Sequence, residues 1–193
     1  MVTDTIEVER RFPIYTPDQF IKWATKQCGS GKKDYQHDTY FQPPNVDYLA
    51  ESPVTKWLRL RRLHKSEEGI FTYKDWGAKD VGSDVSCLEL NVYIGNTADF
   101  QKLLLLQGYR ISIVLEKTRL TWQYQNTELA LDNVVGLGNY LEIEAKTCSC
   151  VEQGKQYIDD VLRALQADGI AILGLEDFQG YPMLLLKKQG LVK

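Results

Sequence analysis

The extended segments of this chain carry charge at every second residue, and no other feature limits its fold so tightly. A β-strand turns alternate side chains to opposite faces. In TIEVERRF one face holds Glu7, Glu9 and Arg11, and the other holds Ile6, Val8, Arg10 and Phe12. WLRLRRL sets Arg59 and Arg61 against Leu58 and Leu60, and FTYKD sets Lys74 against Phe71 and Tyr73. Glu89 opposes Leu88 and Leu90, Lys117 shares a face with Arg119, and Asp132 opposes Leu129 and Leu131. In YLEIEAK, Glu142 and Glu144 oppose Leu141 and Ile143.

A solvated sheet face with cross-strand ion pairs would also alternate, and exposed pairs contribute only about 0–1 kcal/mol each. The sorting of the charges argues against that reading. Acids sit with acids (Glu7 with Glu9, Glu142 with Glu144) and bases with bases (Arg59 with Arg61, Lys117 with Arg119). Like charges on neighbouring positions of one face repel, so something must offset the repulsion. If helices cover the apolar faces, the charged faces turn inward, into a groove or a barrel lumen. Clustered carboxylates suit hard divalent cations such as Mg²⁺ or Mn²⁺. Clustered Arg and Lys suit phosphate oxygens. A polyphosphate with its metal satisfies both sets.

Three helices are expected. One spans Pro17–Cys28, capped by Thr16 or Asp18 and ended by Gly29 to Gly31. Another spans Ala98–Gln107 and stops at Gly108. The third spans Val151–Ala167, with Val151, Ile158, Val161, Leu162 and Leu165 as its apolar stripe. Extended segments are expected at 3–12, 36–41, 56–64, 69–75, 85–94, 109–118, 119–125, 127–133 and 139–147. Many short strands joined by turn residues favour an antiparallel sheet or barrel with helices outside.

A chain of 193 residues suggests a single domain, 1–193. A net charge of −3 argues against broad binding to nucleic-acid polymers. No stretch has the roughly 20 apolar residues of a membrane span. MVTDTIEVER lacks the basic start and apolar run of a signal peptide. Cys28, Cys87, Cys148 and Cys150 include one C-x-C and no second pair to complete a zinc site, so they read as reduced thiols of a cytoplasmic protein.

The chain carries an ordered series of motifs: Glu7-Val8-Glu9-Arg10-Arg11, DTYF at Asp38–Phe41, LRLR at Leu58–Arg61 and TYK at Thr72–Lys74. EKTR at Glu116–Arg119, LDNVVGLGNYLEIE at Leu131–Glu144 and YPMLLL at Tyr181–Leu186 follow. The series resembles the CYTH superfamily of triphosphate tunnel metalloenzymes, whose E-x-E-x-K signature Glu7 to Arg11 matches. The resemblance implies an α+β fold, an eight-stranded antiparallel β-barrel forming a tunnel with helices packed outside. It implies metal ligation by Glu7, Glu9, Glu142 and Glu144, and triphosphate binding by Arg59, Arg61, Lys74, Lys117 and Arg119. Arg11, Lys74 and Asp132 fall at catalytic positions, Asp132 as an acid near the metal or the reacting phosphate. Glu89 is acidic as in many members, without an assigned role.

Arg11 replaces the signature lysine, which keeps the charge and removes a titratable amine. Gly180 stands where triphosphatase branches place a lysine ahead of the final apolar strand. This tilts the chain toward the class IV adenylyl cyclase branch, which converts ATP to cyclic AMP and pyrophosphate. A triphosphatase acting on inorganic triphosphate, thiamine triphosphate or a nucleoside triphosphate is the alternative. A binding-only polyphosphate or nucleotide protein is a third. Tyr40, Phe41 and Tyr140 are weak candidates for holding adenine, with a core role favoured. His37 and His64 read as surface or strand-edge residues. The segment Gly169–Lys193 leaves an extra covering strand, a lid or a homodimer contact open.

Overall fold

In a computed structural model of the chain, residues 5–63, 66–77, 86–171 and 180–192 are described, except the side chains of residues 5–7 and 86. The alternating strands turn their apolar faces outward, under helices, and their charged faces inward. The strands are β1 (Thr5–Pro13), β2 (Lys32–Gln42), β3 (Lys56–Arg62), β4 (Gly69–Asp75), β5 (Ser86–Ile94), β6 (Arg110–Tyr124), β7 (Thr127–Val134) and β8 (Gly138–Ala145). They close a barrel in the order β1-β5-β4-β3-β2-β6-β7-β8, every neighbour antiparallel, with β8 returning to β1. Closure leaves no open edge among these strands.

Helices α1 (Pro17–Cys28) and α3 (Val151–Ala167) keep the expected bounds. Phe20, Trp23 and Ala24 of α1 and Ile158, Val161 and Leu165 of α3 pack on Val8, Phe12, Leu129, Leu131, Leu141 and Ile143. Thr16 occupies the α1 cap position, yet its hydroxyl is buried without a hydrogen-bond partner and the cap is made by its carbonyl alone. Helix α2 (Thr97–Leu106) begins one residue early because Asn96 Oδ1 accepts from the Asp99 amide at 3.0 Å. On the other flank Phe41, Leu58, Leu60 and Leu104 form a second outer core, with Phe71, Tyr73 and Phe100 packed around it.

Two expectations fail. The segments 109–118 and 119–125 are one strand, β6, because no turn residue separates Thr118 from Arg119 and both keep their partners on β2 and β7. The YPMLLL run is not a strand. It lies in α4 (Gly180–Lys188), and Tyr181, Met183, Leu185 and Leu186 pack on Tyr40, Trp57, Ile113, Leu115 and Val134. Those partners share the inward face of their strands with Asp38, Arg59, Lys117 and Asp132, so α4 fills one end of the barrel instead of lying outside it. Trp57 and Tyr40 meet edge to face at 5.7 Å in that plug. The segment 172–179 and His64 fall outside the described residues.

Candidate active site in the barrel lumen

The lumen above the α4 plug is a cavity of about 810 Å³. Glu9, Arg11, Arg59, Arg61, Lys74, Glu89, Lys117, Arg119, Glu142 and Glu144 all line it. Residues far apart in sequence arrive there because strand pairing aligns them: Glu9 faces Glu144, Arg11 faces Glu142, Lys74 faces Glu89 and Arg119 faces Asp132. Asp132 is fully buried behind the lining, covered by the two bases it holds. Glu7 lies on β1 opposite Cys87, and its side chain is outside the described set.

The charges form linked networks. Arg11 donates from Nη2 to Glu9 at 2.8 Å and to Glu142 at 2.9 Å, with Nε on Glu142 at 3.1 Å. Arg119 donates to both oxygens of Asp132, at 2.7 and 2.6 Å, and to Glu142 at 2.7 Å. Lys117 donates to Asp132 Oδ2 at 2.7 Å, and the Tyr181 hydroxyl donates to the same oxygen at 2.9 Å. Arg61 forks onto Asp38 with two 2.7 Å bonds. Arg59 donates to Thr72 at 3.2 Å, Thr72 to Asn91 at 2.7 Å, and Asn91 to Glu89 at 2.7 Å, where Lys74 also pairs at 2.7 Å.

Burial and pairing pull the titrations apart. Burial pushes the Lys117 ammonium down to about 8, and Arg119 pushes the same way. Burial alone would raise Glu142, but Arg119, Arg11 and Lys117 outweigh it and hold the carboxyl well below its usual range. Asp38 is likewise held low by Arg61 against its burial. Glu144 moves the other way. Burial raises it, with Glu9 and Glu142 adding repulsion, and its pair with Lys146 does not cancel the rise.

Sequence reading missed several lining or supporting groups. Asp38 shares the inner face of β2 with the candidate Tyr40, which the i, i+2 spacing within DTYF could have shown. Glu128, Lys146 and Trp76 also line the cavity. Lys74 sits 5.9 Å from the Trp76 ring centre. Tyr181 was unreadable as a site residue, since its place depends on the helix that brings it inward. Of the aromatic candidates, Phe41 is buried in an outer core, Tyr40 packs in the plug, and Tyr140 meets Tyr181 edge to face at 5.2 Å. His37 points outward, its Nδ1 3.3 Å from Glu116.

Among the described residues no three acidic, His or Cys groups form a ready-made metal cage. Glu9, Glu142 and Glu144 nonetheless offer hard oxygen donors from the paired strands β1 and β8 on one wall of the cavity. The donor set therefore fits a hard divalent cation.

The chain matches the CYTH domain family over residues 5–170. It belongs to that family. CYTH proteins are adenylyl cyclases or triphosphatases that use divalent metal ions and act on triphosphate substrates, and this CYTH chain is an enzyme of that group. A Methanocaldococcus jannaschii protein carrying the provisional name adenylate cyclase is 27% identical over 170 residues, covering 86% of this chain and 91% of its own. A solved Pyrococcus horikoshii protein matches with TM-score 0.75 at 24% identity, covering 94% of this chain and 99% of that one. A solved Hippeastrum protein, named provisionally as an adenylyl cyclase with a dominant triphosphatase activity, matches with TM-score 0.62 at 17% identity. It covers 96% of this CYTH chain and 95% of its own, and the likeness of both structures is one of fold. No helix among the described residues is long and apolar enough to cross a membrane.

Proposed function

We propose that the chain, taken as one domain over residues 1–193, is a metal-dependent enzyme of the class IV adenylyl cyclase type. One observation carries this reading: Arg59, Arg61, Lys74, Lys117 and Arg119 share one cavity with Arg11, Glu9, Glu142 and Glu144. The bases bind the triphosphate, Arg59 and Arg61 from one wall and Lys117 and Arg119 from another. Each of these bases has a structural partner, so its charge is aimed before substrate arrives, which is the electrostatic preorganisation that phosphoryl chemistry needs. Lys74 and Arg11 act at the reacting end, stabilising charge on the attacked phosphorus and the leaving oxygens. Arg11 does so as a fixed cation. Asp132, beneath the wall, acts through Lys117 and Arg119.

Glu9, Glu142 and Glu144, with Glu7 by its place in the motif, are the residues that would hold Mg²⁺ or Mn²⁺. Such an ion, when bound, supplies further neutralisation of the phosphate oxygens. In the cyclase reaction the ribose 3′-hydroxyl attacks the α-phosphorus and pyrophosphate leaves. The cavity runs past Lys74 to Pro53, Val54, Trp57 and Trp76, which gives a substrate with an organic end a surface that inorganic triphosphate would not use. The cyclase name of the M. jannaschii relative and Gly180 beside Arg11 support the same side. Triphosphate hydrolysis is the second reading, favoured by the activity named for the Hippeastrum protein and by a charged lining that serves either attack.

Phosphorus NMR of the products tests both. ATP, thiamine triphosphate and inorganic triphosphate are each incubated with the protein and Mg²⁺ or Mn²⁺. Cyclic AMP with pyrophosphate is expected. Orthophosphate establishes the triphosphatase, and intact substrates in every tube overturn both readings in favour of a binding protein.

A further inference from the structure

Tyr181 is the second residue of α4 and is buried, yet it is joined to the charged wall by both its ring and its hydroxyl. Its hydroxyl donates to Asp132 Oδ2 at 2.9 Å, the oxygen that also receives Lys117 and Arg119. Its ring centre lies 4.4 Å from the Arg11 guanidinium carbon and 4.9 Å from the Lys117 ammonium. Gly180, at φ +78°, turns the backbone into α4, and a Cβ there would stand 3.7 Å from Arg11 Nη1. The start of the plug is thus fitted around Arg11.

We propose that Tyr181 is a positioning residue for the tunnel, aiming Lys117 and Arg119 through Asp132 and holding Arg11 against its ring. The proposal rests on the reading of the lumen as a triphosphate site. The Tyr181 ring edges the cavity, but its hydroxyl is held by Asp132, which has no surface there, so through that bond it acts on the bases. Without the hydroxyl, Asp132 keeps two cations and loses the neutral donor that fixes the tilt of its carboxylate. Without the ring, Arg11 and Lys117 lose the surface that separates two like charges.

Two variants divide these roles. Tyr181→Phe keeps the ring on Arg11 and loosens the carboxylate that aims Lys117 and Arg119, so kcat on ATP or inorganic triphosphate should fall about tenfold, with a smaller rise, about threefold, in the Kd for inorganic triphosphate by calorimetry. Tyr181→Leu removes both contacts, so Kd should rise about tenfold as well. Met183→Ala, in the same plug and also buried, makes no polar contact with the wall; it should melt earlier and bind normally. A purely structural Tyr181 would lower the melting temperature and leave Kd and kcat per folded molecule unchanged in both variants, which overturns the proposal. Wild-type protein that fails to bind inorganic triphosphate overturns the tunnel reading beneath it. The Kd comparison still decides in a protein that binds and turns nothing over.

Discussion

Asp38 and Arg61 face each other across β2 and β3, and the pair shows how single residues carry this lumen. Breaking a buried pair from one side leaves an uncompensated charge, so Asp38→Asn should cost about 3 kcal/mol of stability in a denaturant melt. Arg59 donates to Thr72 and lines the cavity. Arg59→Ala should raise KM for triphosphates tenfold or more, roughly the loss of one charged hydrogen bond; an unchanged KM removes it from the binding wall. Glu9→Gln should abolish metal-dependent turnover and lower the melt less than Asp38→Asn does, because Arg11 keeps its bonds to Glu142.

Lys117 sets a pH dependence of a defined sign. The unfolded chain holds the lysine proton to about 10.4, whereas the folded protein releases it near 8. Between those values the unfolded state binds more protons, so stability rises with pH above about 8. Tyr181, Tyr73 and Tyr40 are all raised, chiefly by burial, so each keeps its proton in the fold after the unfolded phenol loses it near pH 10. Stability should turn down there. Lys117→Met should erase the rise from pH 8 to 10, measured by urea melts. In acid, Asp38 and Asp132 are held low, so their contribution is complete above about pH 4 and fades as pH falls below it.

At the scale of elements, α3 packs on β1 through Gly154, where an added Cβ would stand 2.9 Å from the Val8 side chain. Gly154→Ala should lower stability by about 1–3 kcal/mol through overpacking, and Val8→Ala in the same chain should recover part of it. The period-two and helical patterns located the strands and three helices because each has one apolar and one polar face. Arg59, Arg61, Glu142 and Glu144 were readable as inward for the same reason. The six-residue run YPMLLL has no such contrast, and a short apolar run is as consistent with a strand as with a buried helix. Asp132 looked like a lining acid because alternation gives a face and not a depth; Lys117 and Arg119 reach across and cover it.

At the scale of the whole molecule, the described residues form two outer cores under helices, a third core inside one end of the barrel, and a charged layer between them. Trp23 and Trp122 report on one outer core, and Trp57 and Trp76 on the plug. Because the barrel ring is continuous through all eight strands, tryptophan fluorescence and far-ultraviolet circular dichroism should give coincident melts. Separate transitions would show that the plug or the α1–α3 side unfolds on its own.

The helix seated in the barrel also governs traffic. With α4 filling one end, a triphosphate bound as proposed would enter and leave by the other, so a departing phosphate product would have to clear the passage before the next substrate could advance. Release and capture would then share one route. Product should inhibit competitively against substrate, and excess substrate should slow turnover by crowding the exit.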